Sequence, residues 1–383
     1  MEIVVTTFKG LEQILAQEMT SLGAESVTIG NRAVTGYGDK ELLYRLNYLL
    51  RTGLKVLVPI DRITANNPDE LYRNTRKINF SAYLDADSSF AIDITCHSEI
   101  LTHSQFALYK IKDAIADQYR QRHGQRPNID VNEPDFRLHV RITGNEIYFS
   151  SDSSGETLNK RKYKTAINAA PLNEVLAAGL VMMSGWSPER SFSDPMAGSG
   201  TIGIEAAMIG THTPAQVHRT RFTLKKWRNY NPSLWADVCN KAKSGIDNNA
   251  IKITVSDNDL NSLKAIRENL SLFDFTPSIK IERKDFFTSE NAADFVLFNP
   301  PYDQRIRLDN ALEFYEEIGT HLKHHYENKE VWIFSSFMEG MKKIGLKPFR
   351  KFPLNNGPLE AKLKGYKIFG GKMSDLKKQS GSD

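Results

Sequence analysis

The sequence predicts an α/β protein in which a doubly wound, Rossmann-like sheet fills the second half and a separate α+β region precedes it. Three observations predict this division. Strand and helix patterns alternate regularly from residue 170 onward, which favours βαβ units. A glycine-rich turn, Gly198-Ser199-Gly200, follows Asp194 closely. A length of 383 residues accommodates two or three domains.

The first half alternates apolar, β-branched runs with stretches of helical period. We predict strands at 2–6, 24–30, 55–60, 90–95, 136–142 and 146–151, and helices near 11–19, 40–50 and 102–122. The long third helix should bury one apolar stripe. Its members are Phe106, Ile111, Ala114, Ile115 and Tyr119. The run Asp152-Ser153-Ser154-Gly155 predicts a domain boundary.

The second half predicts strands at 251–256, 278–282, 294–298 and 330–334. A helix should follow the first of these strands, with Leu260, Leu263, Ile266 and Leu270 on one face. Another helix should span 311–326. Two short strands at 345–352 and 365–369, around Asn355-Asn356-Gly357, predict a β-hairpin on the sheet edge.

Composition favours a soluble protein of the reducing cytoplasm. No apolar run approaches the ~20 residues that span a bilayer, and the first residues read as a strand instead of an export signal. Cys96 and Cys239 form no metal-ligand spacing, so we expect no metal. The excess of positive charge lies in the second half. Residues 1–155 contain 17 Lys and Arg and 20 Asp and Glu, whereas residues 156–383 contain 33 Lys and Arg and 26 Asp and Glu. Clusters at 160–164, 219–228 and 342–351 could bind phosphates or simply be solvated surface.

The most informative run is Asn299-Pro300-Pro301-Tyr302, which follows the strand predicted at 294–298. An exocyclic amine on an aromatic base is a weak nucleophile, because its lone pair is delocalised into the ring. The Asn299 side-chain oxygen and the Pro300 carbonyl could accept its two hydrogens, and Pro301 would hold Pro300 extended. Tyr302 offers a flat face for stacking, worth roughly 1–3 kcal/mol. We therefore predict that these four residues are catalytic; a plain turn after a strand is the alternative for the motif alone.

The glycine-rich turn predicts a cofactor site. Gly198-Ser199-Gly200-Thr201-Ile202-Gly203 formally matches the dinucleotide fingerprint, but a nicotinamide site also needs an acid about 20 residues further on. The chain is basic there, with Arg221, Lys225 and Lys226. Asp194, before the turn, would repel a pyrophosphate and attract a cation. S-adenosylmethionine carries a sulfonium and an ammonium and no phosphate, so it fits the turn better.

The predicted cofactor residues follow strands, because open α/β sheets bind ligands at the carboxyl ends of their strands. Asp257 would accept from ribose hydroxyls, while Asp259 competes for that role or caps the next helix. Asp285 would lie near the adenine amine, with Phe286 packing on the ring. The full predicted set is Asp194, Ala197, Gly198, Gly200, Thr201, Asp257, Asp285, Phe286 and Asn299.

These motifs resemble those of the THUMP-domain RNA guanine-N2 methyltransferases, a class I S-adenosylmethionine-dependent family, over nearly the whole chain. The closest likeness is to bacterial members that act on large-subunit (23S) ribosomal RNA. Besides Asn299-Pro300-Pro301-Tyr302 and the turn at 194–201, the matching motifs are Ala170-Pro171-Leu172-Asn173-Glu174, Ile204-Glu205-Ala206-Ala207, His103-Ser104-Gln105-Phe106, Lys112-Asp113-Ala114-Ile115 and Asp152-Ser153-Ser154-Gly155. Where the family usually shows Arg-Gly-Tyr-Arg, this chain has Arg161-Lys162-Tyr163-Lys164.

The resemblance implies a class I Rossmann-like methyltransferase domain at 156–383, a ferredoxin-like segment at 1–50 and a THUMP RNA-binding domain at 51–155. It implies methyl transfer from S-adenosylmethionine to the exocyclic N2 of a guanine in 23S ribosomal RNA, either free or in an assembly intermediate. Phosphate contacts are expected from Lys112, Lys160, Arg161, Lys162 and Lys164. A monomer is expected, with the oligomeric state left open.

Two other functions stay open at this point. An adenine-N6 DNA or RNA methyltransferase would use the same Asn-Pro-Pro-Tyr chemistry on a different amine. A non-catalytic RNA-binding ribosome-assembly factor would still support assembly when Asn299 is replaced, and it would bind the cofactor weakly. That half is net acidic, so it would hold RNA through a local basic face or by recognising shape.

Overall fold

The computed structural model describes residues 1–98, 104–165, 172–248, 251–288, 293–301 and 308–369, which form two compact units. The first unit contains Met1–Thr7, Ala16–Leu158 and Arg219–Asn240. The second contains Phe8–Leu15, Asn159–His218 and the residues from Lys241 onward. Predictions made for His103, Ala170, Pro171 and Tyr302 lie outside the described residues. The division into three domains stays a prediction.

The first unit is built on a mixed sheet of order β2-β3-β1-β4-β8-β7-β5-β6. Its strands are β1 (Glu2–Thr6), β2 (Glu25–Gly30), β3 (Ala33–Tyr37), β4 (Lys55–Thr64), β5 (Ser89–His97), β6 (Asn128–Ile129), β7 (Phe136–Thr143) and β8 (Glu146–Asp152). The helices in this stretch of chain are α1 (Glu12–Ser21), α2 (Lys40–Leu49), α3 (Pro68–Thr75) and α4 (Ser104–His123). Strand β5 runs parallel to β6 and β7, and the other neighbours are antiparallel.

Helix α4 covers the sheet through four of the five residues predicted for its apolar stripe, all buried: Ile111, Ala114, Ile115 and Tyr119. The prediction that Phe106 belongs to this stripe is wrong, since 49% of the residue is exposed. The buried stripe begins instead at Ala107, four residues before Ile111, so Phe106 is turned off the apolar face. Sequence reasoning also missed β3 and α3, although Asn67 caps α3 and Pro68 opens it.

The basic stretch at 219–228 lies in the first unit and is held there by polar contacts. The buried Arg219 donates to the carbonyl oxygens of Ser154 (2.6 Å) and Glu156 (2.8 Å). Lys226 forms an ion pair with Asp135 at 3.1 Å. Two further ion pairs join Arg221 to Glu133 and Arg228 to Asp85. Each of these four cations therefore has a carbonyl or carboxylate partner within the first unit.

The second unit contains a sheet of order β11-β10-β9-β12-β13-β15-β14. Its strands are β9 (Phe192–Asp194), β10 (Ile253–Asp257), β11 (Ile279–Arg283), β12 (Phe295–Phe298), β13 (Glu330–Ser335), β14 (Arg350–Asn356) and β15 (Leu359–Lys367). The helices in the second half of the chain are α5 (Glu174–Ser184), α6 (Thr201–Gly210), α7 (Pro232–Ser244), α8 (Leu260–Leu270), α9 (Leu308–His325) and α10 (Met338–Lys343). Helix α7 contributes residues to both units.

Strands β9 to β13 pair in parallel, and the β14–β15 hairpin pairs antiparallel to β13 at the edge. This confirms the α/β fold class and the terminal hairpin. The two hairpin strands lie closer to the turn at Gly357 than predicted: β14 continues to Asn356 instead of ending at 352, and β15 begins at Leu359 instead of 365. Seven residue pairs form the ladder between them. On α8, Leu263, Ile266 and Leu270 are buried as expected, but Leu260 at the first turn is 60% exposed.

Candidate active site

The glycine-rich turn connects the end of β9 to the start of α6. Gly198 (φ +54°) and Gly200 (φ +81°) both adopt left-handed backbone conformations, which glycine enters without steric cost. At Gly200 a Cβ would also lie only 3.1 Å from the Ile266 side chain. The Ala197 N–H donates to the Ser256 carbonyl at 3.0 Å, which ties the turn to β10. The glycines are therefore required by the path of the chain at the carboxyl edge of the sheet.

Asp257 ends β10 and faces the turn. Its carboxylate accepts the Gly198 N–H at 2.8 Å and the Asp259 N–H at 3.0 Å. Asp259 in turn caps α8, accepting from the backbone N–H groups of Asn261 and Ser262. Of the two acids that competed for the ribose, Asp259 thus has the capping role, and Asp257 keeps lone pairs for a ligand.

A cavity of about 600 Å³ lies at this edge of the second unit. Its lining residues are Pro195, Met196, Gly198, Asp257, Asn258, Asp259, Asn261, Ser262, Lys284, Asp285, Phe286, Phe287, Asn299, Pro301 and Phe314. The structure thereby brings together residues predicted from four separate stretches of sequence. Other predicted residues do not line the cavity: Asp194, Ala197, Gly200, Thr201 and Pro300.

Several lining residues were missed by sequence reasoning. Phe287 and Phe314 supply aromatic surface, with their ring centroids 5.4 Å apart. Phe286 is buried, and its ring packs 5.4 Å from that of Phe298 and 5.8 Å from that of Tyr326. Phe287 could have been predicted from the sequence, because it directly follows Phe286, a residue already predicted to line the site. The position of Phe314 on α9 carried no local signal.

The side-chain oxygen of Asn299 has a distinct position in the cavity. Oδ1 is buried and accepts no hydrogen bond from the described residues. A buried acceptor left unsatisfied costs about 1–3 kcal/mol, so such atoms in native proteins usually await a ligand or water. Asn299 directly follows β12, whose neighbour in the sheet is β9, the strand that leads into the glycine turn. The unsatisfied acceptor and the glycine turn therefore share one cavity.

Asp194 lies under the turn and is almost fully buried. Burial and, secondarily, the negative charge of Asp257 raise the pKa of the Asp194 carboxyl well above its usual range. The backbone N–H groups of Met196 and Gly203 oppose this shift, although neither makes a hydrogen bond of normal geometry with the carboxyl oxygens. A cation reaching this region would relieve the cost of ionising Asp194.

The predicted RNA contacts divide between surface and interior. Lys160 and Lys162 are exposed, and on α4 of the first unit Lys112 is half-buried, with its Nζ 5.1 Å from the centre of the Tyr109 ring. Their RNA-binding roles stay predictions. Lys162 has φ +71°, which explains why glycine is usual at this position in the family it resembles.

The phosphate contact predicted for Arg161 is wrong, because its side chain is fully buried and paired with Glu205 (Nε to Oε1, 3.4 Å). It therefore cannot contact phosphate in this fold. Glu205 also accepts the Tyr163 hydroxyl at 3.1 Å. Lys164 is partly buried: its side chain is 10% exposed, donates to the Leu172 carbonyl at 2.8 Å and pairs with Glu174 at 3.3 Å, and its RNA-binding role stays a prediction.

The charge around the cavity suits a cationic ligand. Asp257, Asp259 and Asp285 contribute carboxylates, and the single lysine, Lys284, pairs with Glu282 at 2.9 Å. An anionic pyrophosphate would be repelled here. Among the described residues, no group of three or more His, Cys, Asp and Glu is placed to hold a metal ion. A doubly wound sheet with this cavity and an unsatisfied Asn acceptor defines the class I methyltransferase type of domain.

Comparison with known proteins assigns the family. Residues 161–364 match the family described as "RMKL-like, methyltransferase domain". Residues 65–152 match the THUMP domain, and residues 2–57 match the RlmL ferredoxin-like domain. The chain belongs to the RMKL-like methyltransferase family, which confirms the resemblance drawn from its motifs.

Two relatives show the extent of the match. A "Putative RNA methyltransferase" of Synechocystis sp. is 35% identical over 95% of this chain and 96% of its own length. The "Ribosomal RNA large subunit methyltransferase K/L" of Buchnera aphidicola is 30% identical over 98% of this chain and 56% of its own length. The chain thus spans about half the length of the K/L enzymes that it matches.

Two solved structures share the fold over nearly their whole length. A "possible methylase" from Clostridium difficile 630 is 29% identical with a TM-score of 0.87, covering 97% of this chain and 99% of that one. A protein of Listeria monocytogenes described as a "predicted N6-adenine-specific DNA methylase" is 26% identical with a TM-score of 0.84, each chain being covered to 96%. None of the helices among the described residues is both long and apolar enough to cross a membrane.

Proposed function

We propose that this chain transfers the methyl group of S-adenosylmethionine to the exocyclic N2 of a guanine in 23S ribosomal RNA. The observation that carries the proposal is the buried, unsatisfied Oδ1 of Asn299 in the cavity that the glycine turn also lines. An N–H of a planar amine is the donor that this acceptor fits. The same hydrogen bond would draw the nitrogen lone pair out of conjugation.

The cavity supports the cofactor assignment. Its volume is within the range of about 300–1,000 Å³ typical of small-molecule sites, and three carboxylates favour a ligand with sulfonium and ammonium charges. Asp257 would hold the ribose hydroxyls, and Asp285 the adenine amine, with Phe287 against the ring. Bound S-adenosylmethionine would supply an electrophilic methyl group.

The chain itself contributes positioning. Asn299 fixes the amine, and Pro301 closes the cavity beside it. Holding the two reactants in the correct geometry supplies most of the acceleration that such a transfer needs. The amine gives up one proton to solvent as its new bond forms. Extracting the base from its stack costs a few kcal/mol, and stacking on Tyr302 would offset that cost.

The choice of RNA follows from the THUMP domain and the names of the relatives. The ribosomal substrate is proposed because the K/L relatives carry it in their names. A second candidate is adenine-N6 methylation, because the Listeria relative carries that description and an Asn acceptor can serve either amine. A non-catalytic assembly factor would leave the buried acceptor of Asn299 without a purpose.

The deciding experiment incubates the purified chain with isotopically labelled S-adenosylmethionine and unmodified large-subunit ribosomal RNA. Mass spectrometry of the digested nucleosides then identifies the product. We expect label in N2-methylguanosine. Label in N6-methyladenosine would replace guanine by adenine in the proposal. Cofactor binding without methylation of any RNA would indicate a missing substrate partner, and the absence of both methylation and cofactor binding would favour the assembly factor.

The matched variants are Asn299→Ala and Asn261→Ala, two asparagines that line the same cavity. Asn299→Ala should lower the rate at least 100-fold while cofactor affinity falls little, since the lost hydrogen bond is to the base. Asn261→Ala, at an exposed position, should retain most activity. Equal activity in the two variants would remove Asn299 from the reaction.

A further inference from the structure

The segment that ends the methyltransferase sheet carries a concentration of positive charge that the proposed reaction does not use. Residues 342–369 contain eight Lys and Arg and one acid, Glu360. That difference of seven equals the whole excess of Lys and Arg over Asp and Glu in residues 156–383. The segment covers the end of α10 and both strands of the hairpin, so the fold brings these residues together.

The register of the hairpin places lysines against each other. Lys351 on β14 lies directly opposite Lys364 on β15, and Lys362 follows two residues along the same face, opposite Pro353. Like charges directly opposite in an antiparallel pair destabilise a sheet. An anion bound beside the Lys351–Lys364 pair would relieve this repulsion.

Exposure and pairing support this interpretation. Lys342, Lys351 and Lys362 are exposed, and Lys364 is half-buried, donating to the Met341 carbonyl at 2.9 Å. Burial and then the charges of Lys351, Lys362 and Lys342 lower the pKa of Lys364, so the four ammonium groups lie within each other's field. We call these four residues the lysine surface.

Carboxylates do not neutralise the lysine surface. Among the residues that the structure describes, no ion pair involves Lys351, Lys362 or Lys364. Lys342 pairs with Glu339 at 2.8 Å, but both side chains are about two-thirds exposed, and exposed pairs contribute about 0–1 kcal/mol. The other basic residues of the hairpin point to the opposite face, where Arg350 lies over the Phe352 ring and Lys367 over the Phe349 ring.

The sheet register also relates the lysine surface to the candidate active site. Phe298, the residue before Asn299, pairs with Ile333; Ile333 pairs with Lys364, and Lys364 with Lys351. Lys351 is therefore three strand spacings from β12, or roughly 14 Å at ~4.8 Å per spacing. Lys362 pairs with Ser335 at the carboxyl end of β13, the edge at which Asn299 follows β12.

We propose that the lysine surface binds backbone phosphates of the RNA strand that carries the target base, within a few nucleotides of that base. The proposal rests on the proposed function, because it takes Asn299 as the position of the base. A span of roughly 14 Å corresponds to a few nucleotides of one strand. The surface would fix where the strand lies, while Asn299 would select the reacting amine.

The test compares two triple variants of the full chain that lose the same charge. One is Lys342→Gln, Lys351→Gln and Lys362→Gln, which spares Lys364 because of its bond to Met341. The other replaces three exposed lysines elsewhere in the second unit, Lys241, Lys252 and Lys264, by glutamine. Thermal unfolding and titration with S-adenosylhomocysteine serve as controls, and we expect both variants to fold and to bind the cofactor alike.

The measurement is the affinity for a labelled fragment of unmodified 23S ribosomal RNA as a function of salt. Each lost phosphate contact lowers the salt slope by about 0.7 for a single strand. Three contacts lower it by roughly 2, which corresponds to a loss of about 100-fold in affinity at 0.1 M salt relative to 1 M. We expect this loss in the hairpin variant and not in the control.

Equal RNA affinity and salt slope in the two variants would overturn the proposal even if the wild type methylates guanine, and the proposed function would then stand alone. Conversely, a selective loss of RNA binding in a chain that methylates no RNA would keep the lysine surface and remove the proposed function. Unchanged RNA binding, with a loss of binding to phosphatidylserine vesicles, would reassign the surface to membranes.

Discussion

Replacing Arg161 by methionine tests whether the basic cluster at 160–164 is structural or RNA-binding. The Arg161 and Glu205 side chains are both fully buried, with Nε 3.4 Å from Oε1, and Tyr163 donates to the same oxygen. Removing one partner of a buried pair leaves an uncompensated charge, which costs about 3–5 kcal/mol. That is a large part of the ~5–15 kcal/mol by which domains are stable.

Urea unfolding followed by tryptophan fluorescence measures the loss, with Lys162→Met as the matched control. The neighbouring Lys162 is exposed, so its replacement should change the free energy of unfolding by no more than about 0.5 kcal/mol. In the double variant Arg161→Met with Glu205→Leu, much of the loss should return, because both charges are gone. A loss below about 1 kcal/mol for Arg161→Met, together with weaker RNA binding, would refute the structural role.

Three other outcomes follow from local geometry, each measured by thermal or urea unfolding. Lys162→Gly should stabilise the chain by up to about 1 kcal/mol, since the left-handed backbone costs a non-glycine residue about 1–2 kcal/mol; unchanged stability would contradict this. Gly203→Ala should cost about 1–3 kcal/mol, because its Cβ would lie 2.3 Å from Val255 Cγ1, and Val255→Ala should recover part of that. Asp194→Asn should stabilise the fold at pH 7, and the gain should vanish as pH falls toward 3.8, since only the folded state raises the Asp194 pKa; a gain that grew at low pH would reverse the assigned direction.

The parts of the site that could be predicted from sequence are those in which contiguous residues carry the chemistry. Asn299 was identified because proline follows it and a buried strand precedes it. Gly198 and Asp257 line one cavity with Asn299 because parallel strands present their carboxyl ends at one edge. Local spacing and one topological rule were enough to bring these residues to one cavity.

Side-chain direction was predicted less well. In the run from Lys160 to Lys164, Arg161 is buried between two exposed lysines, and composition alone treats all the cations of the run as equivalent. Phe106 failed for a similar reason, since a shift of one residue turns a side chain by about 100° around a helix. Such errors arise wherever the partner that decides burial, here Glu205, comes from a distant part of the sequence.

Charge counted along the sequence also differs from charge counted in the folded units. The cations at 219–228 raise the net charge of the second half, yet they lie in the first unit. There Arg221, Lys226 and Arg228 pair with acids that make the first half look unsuited to RNA. These cations, which are counted with the second half, thus pair with acids of the first half, and both halves are less charged than their sequence counts indicate. Within the described part of the second unit, a concentrated group of lysines without ion pairs lies on the hairpin, at Lys351, Lys362 and Lys364, two or three strands from the strand that leads to Asn299.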